Sequence, residues 1–154
     1  MPSSTVRSSY EQGLDLETIA RLRLAISRIG RRMRVHGGVG PTSSQVSALA
    51  TVEKYGPLRI GDLAYREGVA APTMTRVVAA LDQLGYLERK ADPDDRRSSQ
   101  VGISAAGRDL LETLRRDRTA YLANRVATLT ESERAQLVTA LPILEALAAD
   151  ETSP

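Results

Sequence analysis

The chain is 154 residues long and 42% hydrophobic, the length of one globular domain with enough apolar material for a packed core. It has no cysteine and one histidine, His36, which excludes disulfide scaffolds, Cys-ligated zinc, iron–sulfur clusters and thiol nucleophiles or redox sensors, and leaves little for histidine chemistry. Charge nearly balances, 21 Lys and Arg against 19 Asp and Glu, yet every cation except Lys54 and Lys90 is arginine; the guanidinium fork suits phosphates and base edges, although a GC-rich genome produces the same bias.

Met1–Tyr10 is polar with no h-region, and no apolar run approaches the ~18 residues that span a bilayer, so a cytoplasmic protein with no membrane partner is expected. The first periodic segment, Asp15 to about His36, reads as a helix with Ile19, Leu22, Ile26, Ile29 and Met33 on an a/d stripe. Its other face carries Arg21, Arg23, Arg28, Arg31, Arg32 and Arg34. Gly37, Gly38, Gly40 and Pro41 stop it; no strand precedes them and no Gly-Lys-Ser/Thr follows, so they do not read as a phosphate loop. His36 reads as an ordinary exposed histidine or one that compensates the helix dipole at its C-terminus, in preference to a ligand sensor.

Thr42 and Gln45 have capping-box spacing for a helix to Tyr55 with Val46, Leu49, Ala50 and Val52 inward, ended by Gly56-Pro57. A short helix, Ile60–Arg66, buries Ile60, Leu63 and Ala64. Glu67-Gly68-Val69 then turns the chain into a helix from Ala71 to Leu84, with Met74, Val77, Val78, Leu81 and Leu84 as its apolar stripe and Gly85 as its stop. Tyr86–Lys90 and Gln100–Ser104 predict a two-stranded hairpin whose tip is Asp92-Pro93-Asp94-Asp95-Arg96-Arg97. Ser104 opens a long helix carrying Leu110, Leu111, Leu114, Tyr121, Leu122 and Val126. Thr130 and Glu133 form a second capping box before a last helix striped by Leu137, Val138, Leu141, Leu144 and Leu147. Pro142 is expected to bend that helix, and the tail from Asp150 to fray. The aromatics are Tyr10, Tyr55, Tyr65, Tyr86 and Tyr121; most are expected in the core, with Tyr55 or Tyr121 available to an aromatic ligand.

Two helices joined by a glycine turn and followed directly by a hairpin predict a mainly α fold with a small β wing, a winged helix-turn-helix. In such a reader the second helix enters the major groove, and Pro72, Thr73, Thr75 and Arg76 are its non-core side chains near the N-terminus. Arg96 and Arg97 at the tip suit a minor groove, where negative potential attracts guanidinium; the tip also reads as a solvated turn with Asp95 and Arg97 paired locally. From Leu58 to Arg97 seven cations face seven acids. That neutrality keeps open a winged-helix module that binds another protein and does not touch DNA, against which Arg76, Arg96 and Arg97 speak. No nucleophile with a nearby base, no metal-ligand spacing and no nucleotide-binding glycine motif is present, so neither an enzyme nor a cofactor is expected.

The ordered set Ile60-Gly61-Asp62-Leu63-Ala64, Thr73-Met74-Thr75-Arg76-Val77-Val78, Leu81, Leu84-Gly85-Tyr86-Leu87, Arg89, Asp92-Pro93-Asp94-Asp95-Arg96-Arg97 and Ile103-Ser104 resembles the MarR (multiple antibiotic resistance regulator) family, over about Leu14 to Leu147. The resemblance implies one domain over 1–154, with dimerisation helices at 14–40 and 104–148 and a DNA-binding lobe at 42–103. It implies a homodimeric, ligand-responsive transcription regulator, usually a repressor, on double-stranded DNA at a pseudo-palindromic operator. By position, the resemblance implies Thr73, Thr75 and Arg76 at the major groove and Arg97 at the minor groove, with Arg96 on phosphates and Asp95 bracing the wing; Pro72 joins them among the DNA-binding candidates. Ile19, Leu22, Ile26, Leu137, Leu141 and Leu144 are the dimer positions, and the implied effector is a small phenolic or drug-like organic molecule. The a/d spacing of the first helix alone does not separate a dimer seam from an internal core; the second amphipathic helix at the other terminus favours the dimer. Ala70 and Ala71 depart from the family pattern, which usually has a polar cap there, and the missing cysteine removes thiol oxidation as a signal.

Overall fold

A computed structural model describes residues 15–35, 40–92 and 99–149. In chain order the elements are α1 (Leu16–Val35), α2 (Ser43–Tyr55), β1 (Leu58–Arg59), α3 (Ile60–Arg66), α4 (Ala71–Gln83), β2 (Leu87–Ala91), β3 (Ser99–Ile103), α5 (Ala105–Ala127) and α6 (Glu131–Ala148). They fall into two compact units that divide between Arg118 and Thr119, inside α5. His36, the glycines at 37 and 38, the wing tip from Pro93 to Ser98 and the tail from Asp150 lie outside the described residues.

In the first unit, α2 starts where its capping box places it. The Thr42 hydroxyl accepts the Gln45 N–H at 3.3 Å and the Gln45 amide oxygen accepts the Thr42 N–H at 2.7 Å, satisfying two donors a helix start leaves unpaired. The core joins Ala48, Leu49 and Val52 of α2, Leu63 and Ala64 of α3, Met74, Val78 and Leu81 of α4, Leu87, Val101 and Ile103 of the sheet, and Leu111 of α5. Each large side chain so buried contributes about 1.5–3 kcal/mol relative to exposure. Both helices of the helix-turn-helix end in a Schellman motif. Gly68 (φ 64°) and Gly85 (φ 74°) take the left-handed conformation, while Val69 N–H reaches the Ala64 carbonyl at 3.1 Å and Tyr86 N–H that of Leu81 at 2.9 Å. Leu84, assigned above to the apolar stripe, is instead the C-cap of α4 and 54% exposed, because the chain turns off at the left-handed Gly85 directly after it.

The sheet has three strands, not the expected two, in the order β1-β3-β2 and antiparallel throughout. Strand β1 is two residues long, too short for any periodicity to announce; Leu58 pairs with Val101 and Arg59 with Gln100. The hairpin register sets Leu87 opposite Ile103 and Arg89 opposite Val101. Helix α5 starts hard against the sheet. The Ser104 hydroxyl donates to the Gly85 carbonyl at 2.6 Å and accepts the Gly107 N–H at 3.0 Å, and a Cβ on Gly107 would stand 2.3 Å from the Tyr86 carbonyl oxygen. Further along, Arg115 grips Glu53 of α2 through both ends of its guanidinium, and that hydrogen bonding raises the arginine pKa.

Helix α1 buries none of its residues. Asp15 caps it, accepting the Thr18 N–H at 2.6 Å, which lowers the carboxyl pKa. Along its stripe Ile26 is 52% exposed and Ile19 and Met33 are half-buried. In the second unit, α6 likewise buries none of its residues and runs unbroken through Pro142, which has no N–H for the Val138 carbonyl. Its capping box is formed, with the Thr130 N–H and hydroxyl both donating to Glu133 at 2.8 Å.

Replacing Gly107 by Ala is expected to lower stability by about 1–3 kcal/mol, read as the urea midpoint, because the added methyl meets backbone that cannot swing aside. The Thr130 donors hold the Glu133 carboxyl below its ordinary 4.5. The stability it supplies is thus complete above that value and lost as pH falls through the lower folded value. Glu133→Gln is expected to flatten that part of the acid-denaturation curve, followed by circular dichroism.

Candidate nucleic-acid interface

Helix α4 is fixed on one side by Met74, Val78 and Leu81, all buried, and this turns Pro72, Thr73, Thr75 and Arg76 outward; all four are exposed. The anchors recur at steps of four and three, so the residues between them near the N-terminus form a single outward face. Arg76 forms no salt bridge among the described residues, leaving its guanidinium available. The Thr75 hydroxyl donates to the Ala71 carbonyl at 2.9 Å. Its proton is committed, so the oxygen faces any ligand as an acceptor. Ala70 caps the helix without a side-chain hydrogen bond, and Pro72 stands in the first turn, where its missing N–H costs nothing.

Asp95, Arg96 and Arg97 lie outside the described residues, but the base of the wing is described. Two ion pairs tie it to the helix-turn-helix, and neither is anticipated in the sequence. Arg59 of β1 pairs through Nε with Asp92, whose side chain is fully buried at the end of β2. Arg89 of β2 donates to Asp82 of α4 at 3.1 Å and to the Ser99 hydroxyl of β3 at 3.4 Å. A third contact, Thr51 of α2 donating to Glu67, braces the turn. One local signal exists for Arg59: it stands at the N-terminus of α3, where an acid is favoured and a cation opposes the helix dipole.

Of the expected dimer positions, Ile19 and Leu144 are half-buried, while Leu22, Ile26, Leu137 and Leu141 are exposed. Tyr86 packs against the core as expected and Tyr10 lies outside the described residues, whereas Tyr65 and Tyr55 are exposed. Tyr65 is 88% exposed, and Tyr55 lies between Arg66, 4.3 Å from its ring centre, and Lys54, at 4.9 Å. Tyr65 also borders an open groove of about 260 Å³ with Leu58, Asp62 and Arg66. Among the described residues no cluster of His, Cys, Asp or Glu is arranged to hold a metal, and no helix is long and apolar enough to cross a membrane.

A helix-turn-helix whose second helix presents a polar N-terminal face, followed by a hairpin braced to it, defines the winged-helix class of DNA-binding regulators. The MarR family model matches residues 42–99. An uncharacterized HTH-type transcriptional regulator of Mycobacterium bovis is 40% identical over 134 residues, 86% of this chain and 94% of that protein. Among solved structures, one assigned as a transcriptional regulator from Pseudomonas aeruginosa superposes with a TM-score of 0.79 at 31% identity, covering 88% of this chain and 96% of that one. A MepR mutant from Staphylococcus aureus, bound to an oligodeoxyribonucleotide, shares the fold at a TM-score of 0.67 and 18% identity, over 86% of this chain and 98% of its own. The chain belongs to the MarR family, and it is a DNA-binding transcriptional regulator.

Proposed function

We propose that the protein is a cytoplasmic, ligand-responsive repressor that binds a pseudo-palindromic operator as a homodimer. The observation that carries this reading is the outward N-terminal face of α4. Thr73, Thr75 and Arg76 stand over a buried apolar anchor, as direct readout of major-groove base edges requires. Arg76 is assigned to base edges, Thr73 and Thr75 to bases or phosphates, and Pro72 to close approach of the backbone. At the wing, Arg97 is assigned to the minor groove and Arg96 to phosphates, with Asp95 as brace. The MepR mutant bound to an oligodeoxyribonucleotide shares this fold and supports docking of the fold on DNA.

The uncovered stripes on α1 and α6 are assigned to the dimer, within dimerisation segments 14–40 and 104–148 flanking a DNA-binding lobe at 42–103. Exposed leucines and isoleucines on two helices are what a self-complementary dyad interface would cover. A dimer places two copies of α4 on successive major grooves, ~34–36 Å apart, when the lobes match one helical turn. A small phenolic or drug-like effector would change that separation and lower affinity by favouring the mismatched state. No catalytic step is part of this reading.

Titration of the chain's own upstream DNA, at several salt concentrations and with excess random duplex, tests it directly. Binding that survives the competitor is expected; binding lost to it would put the protein-interaction reading ahead. Arg76→Ala is expected to cost about 1–3 kcal/mol on the operator and to relax base preference, whereas equal losses on operator and random duplex would overturn the base-reading role. Ile26→Asp with Leu141→Asp is expected to convert a dimer to a monomer in sedimentation; an unaltered mass would remove these helices from the interface.

A further inference from the structure

We propose that the Arg59–Asp92 ion pair fixes the direction in which the wing leaves the sheet relative to the helix-turn-helix, making both residues positioning residues for DNA reading. The inference rests on the DNA-reading function proposed above. Strand order carries the argument. Strands β1 and β2 are not neighbours, because β3 lies between them, yet Arg59 on β1 holds the carboxylate that follows the last residue of β2. The pair therefore spans the whole sheet, joining the residue that opens α3 to the residue that opens the wing tip. Local chemistry argues that this link is the reason for these residues. Arg59 supplies no side-chain cap to α3 and its charge opposes the helix dipole. A buried Asp92 carboxylate left without its partner would be strongly penalised. The contact joins two elements that the sheet itself keeps apart. The Asp82–Arg89 pair ties β2 to α4 on another line, so the wing base is held against both helices of the reader.

The test separates positioning from direct contact by sign. If Arg59 met a phosphate itself, neutralising Asp92 would free the guanidinium, remove a negative charge near DNA and tighten binding. For Asp92→Asn, at least a tenfold loss of operator affinity is expected. Hydroxyl-radical protection of the minor groove under the wing should be lost while dimethyl sulfate protection of guanines under α4 is retained. The joint replacement Arg59→Met with Asp92→Leu removes both charges of this pair together; it is expected to give the same selective loss with an unchanged urea midpoint. Unchanged or tighter binding by these variants would overturn the inference. So would parallel loss of both protections in proportion to the unfolded fraction in urea, which is ordinary destabilisation. Failure of the unaltered protein to bind the operator would overturn the DNA-reading proposal and this inference with it, whereas intact binding with indifferent variants would overturn the inference alone.

Discussion

The apolar contact of Met74, Val78 and Leu81 with Leu49, Val52 and Leu63 is the constraint on which the rest of the first unit depends. Three side chains on one side of α4 are removed from water, and the helix can satisfy them in only one rotation about its axis. The polar N-terminal residues face outward as a consequence of what is buried behind them. A reader built this way holds its side chains without needing any stabilising contact among them, and Arg76 accordingly stands without an internal counter-ion among the described residues. Freedom on the outer face and rigidity on the inner face come from the same three positions.

The wing is held differently. Its strands add Leu87, Val101 and Ile103 to the core, but the residues that orient it are charged: Arg59 with Asp92, and Arg89 with Asp82. Hydrophobic burial is non-directional and sets how close elements lie, whereas a guanidinium–carboxylate pair has a preferred geometry and sets how they are turned. The exposed Arg89 pair contributes little stability in water, so its value lies in orientation. The terminal helices lack both devices. Each has a formed N-cap, Asp15 on α1 and Thr130 with Glu133 on α6, and an apolar stripe, but no residue of either is buried. Local signals are complete there, whereas the apolar burial that normally stabilises such helices is not part of their described contacts.

What was legible in the sequence is what short-range chemistry determines. The Thr42–Gln45 and Thr130–Glu133 boxes act across three residues, and Gly68 and Gly85 act at a single φ, so helix ends were read to within a residue or two. The α4 anchors and its outward residues followed from period alone. Strand β1 was missed because two residues carry no period, and it forms only because β3 offers an edge. The Arg59–Asp92 pair joins residues 33 apart, and nothing local distinguishes Asp92 from the turn-forming acids that follow it. Tyrosine usually packs in a core, but the buried side of α3 is already filled by Leu63 and Ala64, which leaves Tyr65 outside.

The two left-handed glycines have a further consequence for how this fold tolerates change in length. Gly68 and Gly85 clamp α4 at both ends, between the turn before it and the strand after it. Each residue inserted into the helix would rotate everything beyond it by about 100°, and neither clamp can absorb that rotation. Side chains on the outer face can be exchanged one at a time with the frame intact, and under the proposed function each exchange would alter the DNA sequence recognised. A single deletion between the glycines would instead swing the apolar anchors toward solvent. The target of such a protein is free to drift by substitution and closed to drift by indels.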